Sequence, residues 1–185
     1  MNKTLVCIDM ANLHYYLKKK QWKVNWDKFK DYLSGLYGEV IFIFYEGIRC
    51  QPHFMARNVW ATYQDYNNAV KEKEDFFRRL KKKGFKVRTK YTSYFYDLKK
   101  EQGKPKCNFD VEITIDALSK MNEYERFVLC SGDGDFLRLI KYLNGKHKKT
   151  VLVYPIDRTS DSLIHSTNDK SFTLGSIRKY IENIP

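Results

Sequence analysis

Cys130-Ser131-Gly132-Asp133-Gly134-Asp135-Phe136 stands between an apolar run, Phe127 to Cys130, and an amphipathic run in which Phe136, Leu139, Ile140 and Leu143 recur at helical spacing. The apolar run suits only a short buried strand, so the stretch predicts a strand-to-helix turn carrying two carboxylates. In an open α/β sheet such turns lie at the carboxyl edge of the strands, where ligands bind.

A turn that cradled phosphate directly would offer bare backbone N–H groups or a lysine, as in GxxxxGK[ST], and this one has neither Lys nor Arg. Asp133 and Asp135 repel a phosphate unless a cation stands between them. The turn therefore reads as half of a site for a hard divalent metal with oxygen ligands. Asp133 also suits a plain helix N-cap, and acids are favoured in a first helical turn, so the turn alone does not choose between cap and ligand.

A second acidic strand end decides more. Thr4 to Ile8 is a compact apolar run ending in Asp9, with Asn12 three residues on, which repeats the geometry of the first turn. Asp9 is expected at the same edge, either as a ligand or as the cap of a helix from Leu13 to Lys19. Farther along, Phe109 to Met121 is helical in propensity and carries Asp110, Glu112 and Asp116. Asp110 and Asp116 lie roughly 120° apart around a helix, so Asp110, in the first turn, is the one expected to face the strand edge. Asp116 is a secondary candidate that shares a face with Glu112, and Glu112 itself suits a solvated surface.

The remaining chain supplies a frame and a charge. Val40 to Tyr45 and Thr150 to Tyr154 read as further buried strands, the latter leading to Asp157, with a last short strand at Ser171 to Leu174. Helices are expected from Asn25 or Asp27 to Leu36, from Tyr66 to Lys83 with the pairs Glu74–Arg78 and Asp75–Arg79, and at Ser160 to Ser166 and Ile177 to Ile181. Gly38, Gly84 and Gly145 are the expected stops. Phe85 to Tyr91 alternates into a half-exposed strand with a basic face of Lys86, Arg88 and Lys90. Gly47 to Asp65 reads as irregular, with His53 expected at the surface. Tyr94 to Lys106 reads as a hairpin or loop mixing Tyr94, Phe95 and Tyr96 with Lys99, Lys100, Lys104 and Lys106, the mixture that single-stranded nucleic acid exploits through stacking and ion pairing.

With 185 residues, 43% hydrophobic, the chain is long enough for one ordinary domain, expected to span 1–185. A formal net charge of +12 favours a polyanionic partner over an acidic small substrate. Cys7, Cys50, Cys107 and Cys130 form no CxxC pair, which suits reduced structural thiols rather than a zinc site or disulfide frame. No apolar stretch approaches the roughly 18 residues needed to span a membrane, and no signal-peptide pattern opens the chain, so a cytoplasmic location with no membrane partner is expected.

Alternating strands and helices predict an α/β fold with a mostly parallel central sheet and helices on both faces. Asp9, Asn12, Asp133, Asp135 and Asp157 then fall on one edge, approached by Asp110, where crowded carboxylates hold raised pKa values unless cations bind. At this point the sequence resembles a family. Ile8-Asp9-Met10-Ala11-Asn12-Leu13, then Phe109-Asp110-Val111 with Ile115-Asp116-Ala117-Leu118, then Val128 through Phe136, are similar to the NYN family of PIN-like ribonucleases over about residues 3 to 155. The resemblance implies a PIN-like α/β/α sandwich, a Mg²⁺ or Mn²⁺ site at the strand edge and RNA hydrolysis. By position it assigns Asp9, Asp110 and Asp133 as metal-binding acids, with Asn12, Ser131, Asp116 and Asp135 in support.

The chemistry expected of that set is in-line attack by metal-bound water, leaving 5'-phosphate and 3'-hydroxyl ends. Arg78, Lys86, Arg88, Lys90, Tyr94, Tyr96, Lys99, Lys100, Lys104 and Lys106 are the candidates to guide the strand. A catalytically silent RNA-binding or scaffold module of the same fold is the alternative. A phosphohydrolase ranks last, since GxGxxG, Walker and DxDx[TV] patterns are absent. RNA against single-stranded DNA, and monomer against homodimer, stay open.

Overall fold

The computed structural model describes residues 3–97 and 102–183. Lys99 and Lys100 therefore lie outside the described residues, as do the side chains of Tyr96 and Lys104. Strand β1 (Thr4–Asp9) runs directly into α1 (Met10–Lys19), and α2 (Trp26–Tyr37) leads to β2 (Val40–Tyr45). A short α3 (Gln51–Arg57) and a long α4 (Tyr63–Lys82) precede β3 (Lys86–Arg88). The hairpin β4 (Ser93–Asp97) and β5 (Gln102–Lys106) comes next, followed by α5 (Asp110–Ser119), β6 (Arg126–Cys130) and α6 (Leu137–Gly145). The chain continues through β7 (Lys149–Tyr154), α7 (Asp161–Ile164), β8 (Phe172–Thr173) and α8 (Leu174–Ile181).

The strands form a six-stranded sheet in the order β3-β2-β1-β6-β7-β8, parallel throughout. The order runs one way from β1 and the other way from β6, so the seam between β1 and β6 is the point where a crevice opens at the carboxyl ends. Strand alternation sends Val6, Ile8, Phe42, Phe44, Val128 and Cys130 into a core with α1, α2, α4 and α8. The intervening Leu5, Cys7, Ile43, Tyr45, Phe127 and Leu129 pack with α5, α6 and α7 on the other side. This is an α/β/α sandwich, and each fully buried large side chain in it is worth roughly 1.5–3 kcal/mol. None of the described helices is long and apolar enough to cross a membrane.

Local signals explain most boundaries. Asn25 caps α2 through its side chain, and Gly38 and Gly84 take the positive φ values, 76° and 88°, expected of stops. Other expectations need correction. The segment from Gly47 to Asp65 is not irregular: Pro52 sits in the first turn of α3, where its missing N–H costs nothing, and Thr62 with Asp65 forms a capping box that starts α4 at Tyr63. His53 is buried rather than at the surface, at 7% exposure.

The basic strand is also shorter than expected: Lys86 stays exposed, while Arg88 and Lys90, the latter just past the strand, are engaged by α5. Arg88 donates from Nε and Nη2 to the two carboxylate oxygens of Asp116, at 3.0 and 2.8 Å. The Tyr45 hydroxyl donates to the same carboxylate at 2.8 Å, and Lys90 pairs with Glu112 while lying over the Phe109 ring. Burial pushes the Asp116 carboxyl up, but the hydrogen bonds from Arg88 and Tyr45 more than offset it and hold the group below the usual carboxylate range. A carboxylate with a lowered folded pKa contributes stability above its unfolded pKa and loses it as pH falls through the folded one. Arg88→Ala is therefore expected to cost about 1–3 kcal/mol at pH 7, less than a fully buried pair because the arginine is half exposed. Urea titrations at pH 7 and pH 3 check this, with the gap between variant and wild type shrinking at the acidic end.

Candidate metal centre

Strand parity assembles the site. Leu5 and Cys7 point toward α5 and α6, and so does the next residue of that series, Asp9; on β6 the series Phe127, Leu129 continues to Ser131. Cys7 pairs with Leu129 across the β1–β6 seam, which brings Asp9 opposite Ser131 just beyond the ladder. The Ser131 hydroxyl donates to Asp9 Oδ2 at 2.9 Å. Asp9 Oδ1 accepts from the Asn12 backbone N–H at 3.4 Å, which makes Asp9 the N-cap of α1 as well. Asn12 Oδ1 in turn accepts from the Gly132 N–H at 2.9 Å, so the two strand ends are stitched together twice.

The acidic turn is shaped by its own donors. Ser131 Oγ accepts from the Asp133 N–H at 3.2 Å, and Asp133 accepts from the Asp135 N–H at 3.1 Å, capping a 3-10 turn over Gly134–Phe136. Gly132 is required by close approach: a Cβ there would meet Thr159 at 2.3 Å from Oγ1 and 3.0 Å from Cα. Asp110 opens α5 on the same side of the sheet and accepts from Asn108 Nδ2 at 2.8 Å.

These acids sense one another. Asp9 is 4% exposed, and its pKa is raised to about 6, first by burial and then by the charges of Asp110 and Asp133, against the hydrogen bonds from Ser131 and Asn12. Asp110 is also raised, by burial first and then by Asp133, Asp135 and Glu112, with Lys90 the opposing cation. Asp9, Asp110, Asp133 and Asp135 thus share one crevice, with Asp135 at its exposed rim. Asp116 does not join them, being held by Arg88 and Tyr45, and Asp157 pairs with Lys19 at 2.8 Å.

Among the described residues no group of three or more His, Cys, Asp or Glu side chains is close enough to form a metal cage. The donor set still fits one class of ion. All of its donors are hard oxygens, and Mg²⁺ keeps several waters, taking one or two carboxylates plus substrate phosphate rather than an all-protein shell. Asp9, Asp110 and Asp133 are the residues that would hold such an ion, and the neutralising charge would relieve the repulsion that raises Asp9 and Asp110.

The strand-guiding candidates are dispersed. Lys86 and Lys106 are exposed, Tyr94 stacks against His53, and Arg78 pairs with Asp75 at 2.6 Å rather than with Glu74. Arg88 and Lys90 are engaged by α5. Arg49 and Arg57, which the sequence reading missed, and His53, which it expected at the surface, line a cavity next to the carboxylates. The signal was available: Pro52 followed by His53 and Arg57 at i,i+4 spacing marks a helix start.

With this geometry in hand, the sequence profile of the NYN domain matches residues 3–174. The chain belongs to the NYN-domain family. NYN domains are nuclease-like, and the acidic crevice lies within the matched region. This NYN chain is 35% identical over 102 residues to the low amplitude and bright protein LabA of Synechococcus elongatus, covering 54% of this chain and 53% of LabA. The match therefore takes in about half the length of that curated relative. A solved structure of a protein of unknown function from Vibrio parahaemolyticus shares the fold, with a TM-score of 0.68 and 23% identity over 94% of this chain and 93% of that one.

A raised carboxylate pKa has a defined consequence for stability. Between the unfolded pKa and about 6 the folded state holds a proton on Asp9 that the unfolded state has released, so stability falls as pH rises through that window. Asp9→Asn removes the charge while keeping an oxygen to accept from the Asn12 N–H, and its amide N–H can donate to the Ser131 hydroxyl. The variant is expected to be more stable than wild type by about 1–3 kcal/mol at pH 8, with the gain gone by pH 3.5, as read from denaturant unfolding at the two pH values.

Proposed function

We propose that the protein is a metal-dependent endoribonuclease that hydrolyses RNA phosphodiester bonds and leaves 5'-phosphate and 3'-hydroxyl ends. The observation that carries the reading is the buried, raised Asp9 facing Asp110 and Asp133 at the seam where the strand order reverses. Such a cluster is costly to fold and is relieved by a divalent cation. Membership of a nuclease-like family supports the same chemistry.

A Mg²⁺ or Mn²⁺ ion held there supplies a positive charge for the scissile phosphate and acidifies a water in its shell. The protein's own part is positional. Asp9, Asp110 and Asp133 present the anionic oxygens, Ser131 fixes the Asp9 carboxylate, and Asn12 locks the turn that carries Asp133. Asp135, exposed at the rim, is placed to hold water or to repel a misplaced strand. The net charge of +12 draws in a polyanion despite the acidic crevice, so binding weakens steeply as salt rises. Lys86 and Lys106 are exposed members of the expected strand-guiding set that make no ion pair with an acid of the described residues.

One observation favours a second reading, an RNA-binding module without catalysis: the carboxylates do not close into a three-ligand group among the described residues. Cleavage of an end-labelled single-stranded RNA in Mg²⁺, Mn²⁺ and EDTA separates the two. The nuclease reading expects metal-dependent cutting that drops at least a hundredfold in Asp9→Asn and in Asp133→Asn, and 3'-hydroxyl ends that accept ligation. Salt-sensitive binding of equal strength in all three proteins, with no cutting, would establish the module instead. A reading independent of activity accompanies it: millimolar Mg²⁺ is expected to raise the melting temperature of wild type at pH 8, and to leave that of Asp9→Asn unchanged.

A further inference from the structure

Immediately beside the acidic crevice lies a cavity of about 440 Å³, framed by the start of α1, the tail of β2, α3 and α4. Its wall begins at Met10, the residue after Asp9, and includes Cys107. Burial, with a smaller contribution from the charges of Glu112 and Asp9, pushes the Cys107 thiol up, which marks how near the cavity is to the carboxylate. The volume falls within the range of pockets that hold small ligands.

The lining has a defined chemistry. Lys18, Arg49 and Arg57 form no salt bridge with any acidic side chain of the described residues, and the one carboxylate on the wall, Glu46, is neutralised by Lys73. Tyr15, Phe54 and Tyr66 supply flat apolar surface, the last two with ring centroids 5.7 Å apart. His53 is held through Nδ1 at 3.2 Å from Thr92 Oγ1, while its buried Nε2 has no hydrogen-bond partner. Burial, reinforced by Arg49 and Arg57, keeps this imidazole below its ordinary pKa, so it is a neutral hydrogen-bonding group at pH 7.

Cations, aromatic faces and a neutral imidazole in one recess suit a ligand that is both anionic and aromatic. An apolar ligand would leave the guanidinium groups without a counter-charge, and an acidic peptide would leave the rings unmatched. We propose that the cavity binds one nucleotide unit of a single RNA strand that continues across the carboxylates, its base against the tyrosine and phenylalanine rings and its phosphate on Arg49 and Arg57. This rests on the nuclease reading and deepens it, by giving the strand a fixed register at the site. Base stacking on such rings is sequence-tolerant, so the pocket sets position more than sequence.

The test is run in EDTA on the full chain, where binding is read without cleavage. The probe is a single-stranded RNA octamer with 2-aminopurine placed at each position in turn, and adenosine 5'-monophosphate serves as the free-nucleotide probe. In wild type, one position is expected to show strong fluorescence quenching. Arg49→Ala/Arg57→Ala is expected to weaken octamer binding at least tenfold, against less than threefold for the charge-matched Lys149→Ala/Lys170→Ala at the opposite end of the sheet. Ala69→Trp, which fills the cavity without changing charge, is expected to abolish the quenching while circular dichroism stays native. Should Ala69→Trp misfold, the arginine pair carries the test alone.

Quenching at no position, or equal losses in the two double variants, would overturn the proposal. So would adenosine 5'-monophosphate binding as tightly as the octamer, which would make the cavity a mononucleotide site, or octamer binding indifferent to every cavity variant, which would leave the recess to a protein partner. Absence of cutting in Mg²⁺ with the quenching intact would reject the nuclease reading while upholding the pocket, so the two failures are told apart.

Discussion

The hydrogen bond from Ser131 to Asp9 joins two strands that are neighbours in the sheet but lie far apart in the chain. Everything at the crevice depends on it. A carboxylate at the mouth of a sheet, 4% exposed and facing other acids, is held in place only because a neutral donor fixes one oxygen and a helix N-terminus fixes the other. The Asn12 contact to Gly132 then carries the same restraint to the turn that bears Asp133, and Thr159 packs so closely on Gly132 that no side chain fits between them. Repulsion among the acids is thus balanced by short-range bonds that involve no cation, which leaves the charge of the crevice available to an ion from outside.

Cations are sorted just as strictly. Arg88 and Lys90 form two rungs between the edge of the sheet and α5, where they neutralise Asp116 and Glu112. Lys19 does the same for Asp157, and Lys73 for Glu46. Lys18, Arg49 and Arg57, which pair with no acidic side chain of the described residues, instead line the cavity beside α1. An anionic strand therefore meets an acidic floor that needs a metal and a basic recess that does not, side by side. The two meet where β1 ends and α1 begins, since Asp9 closes the strand and Met10, on the cavity wall, opens the helix.

Much of this was legible in the chain. The carboxyl ends of β1 and β6 were readable because a short apolar run that stops at an acid can hardly be anything but a buried strand delivering that acid to the edge. Asp110 was legible from helix geometry alone, through its place in the first turn. The role of Asp116 was not, since its partners Arg88 and Tyr45 come from other elements, and no local pattern distinguishes a buried ion pair from a ligand. Gly47 to Asp65 was read as irregular although Pro52, in the first turn of α3, is a helix start signal. His53 was misplaced with it, and the cavity on which Arg49 and Arg57 converge went unseen.

The outer strands bear on how this protein meets its neighbours. At one margin of the sheet β3 has 3 residues, two of them charged, and at the other β8 has 2. Unpaired backbone at a sheet margin is an invitation for another chain to add a strand, and length is what makes the invitation effective. Margins this brief offer too few N–H and C=O groups to template one. The pairing sequence of the six-stranded sheet is therefore closed at its natural width, while the apolar side chains of Val111 and Ile115 on α5 stand open to water.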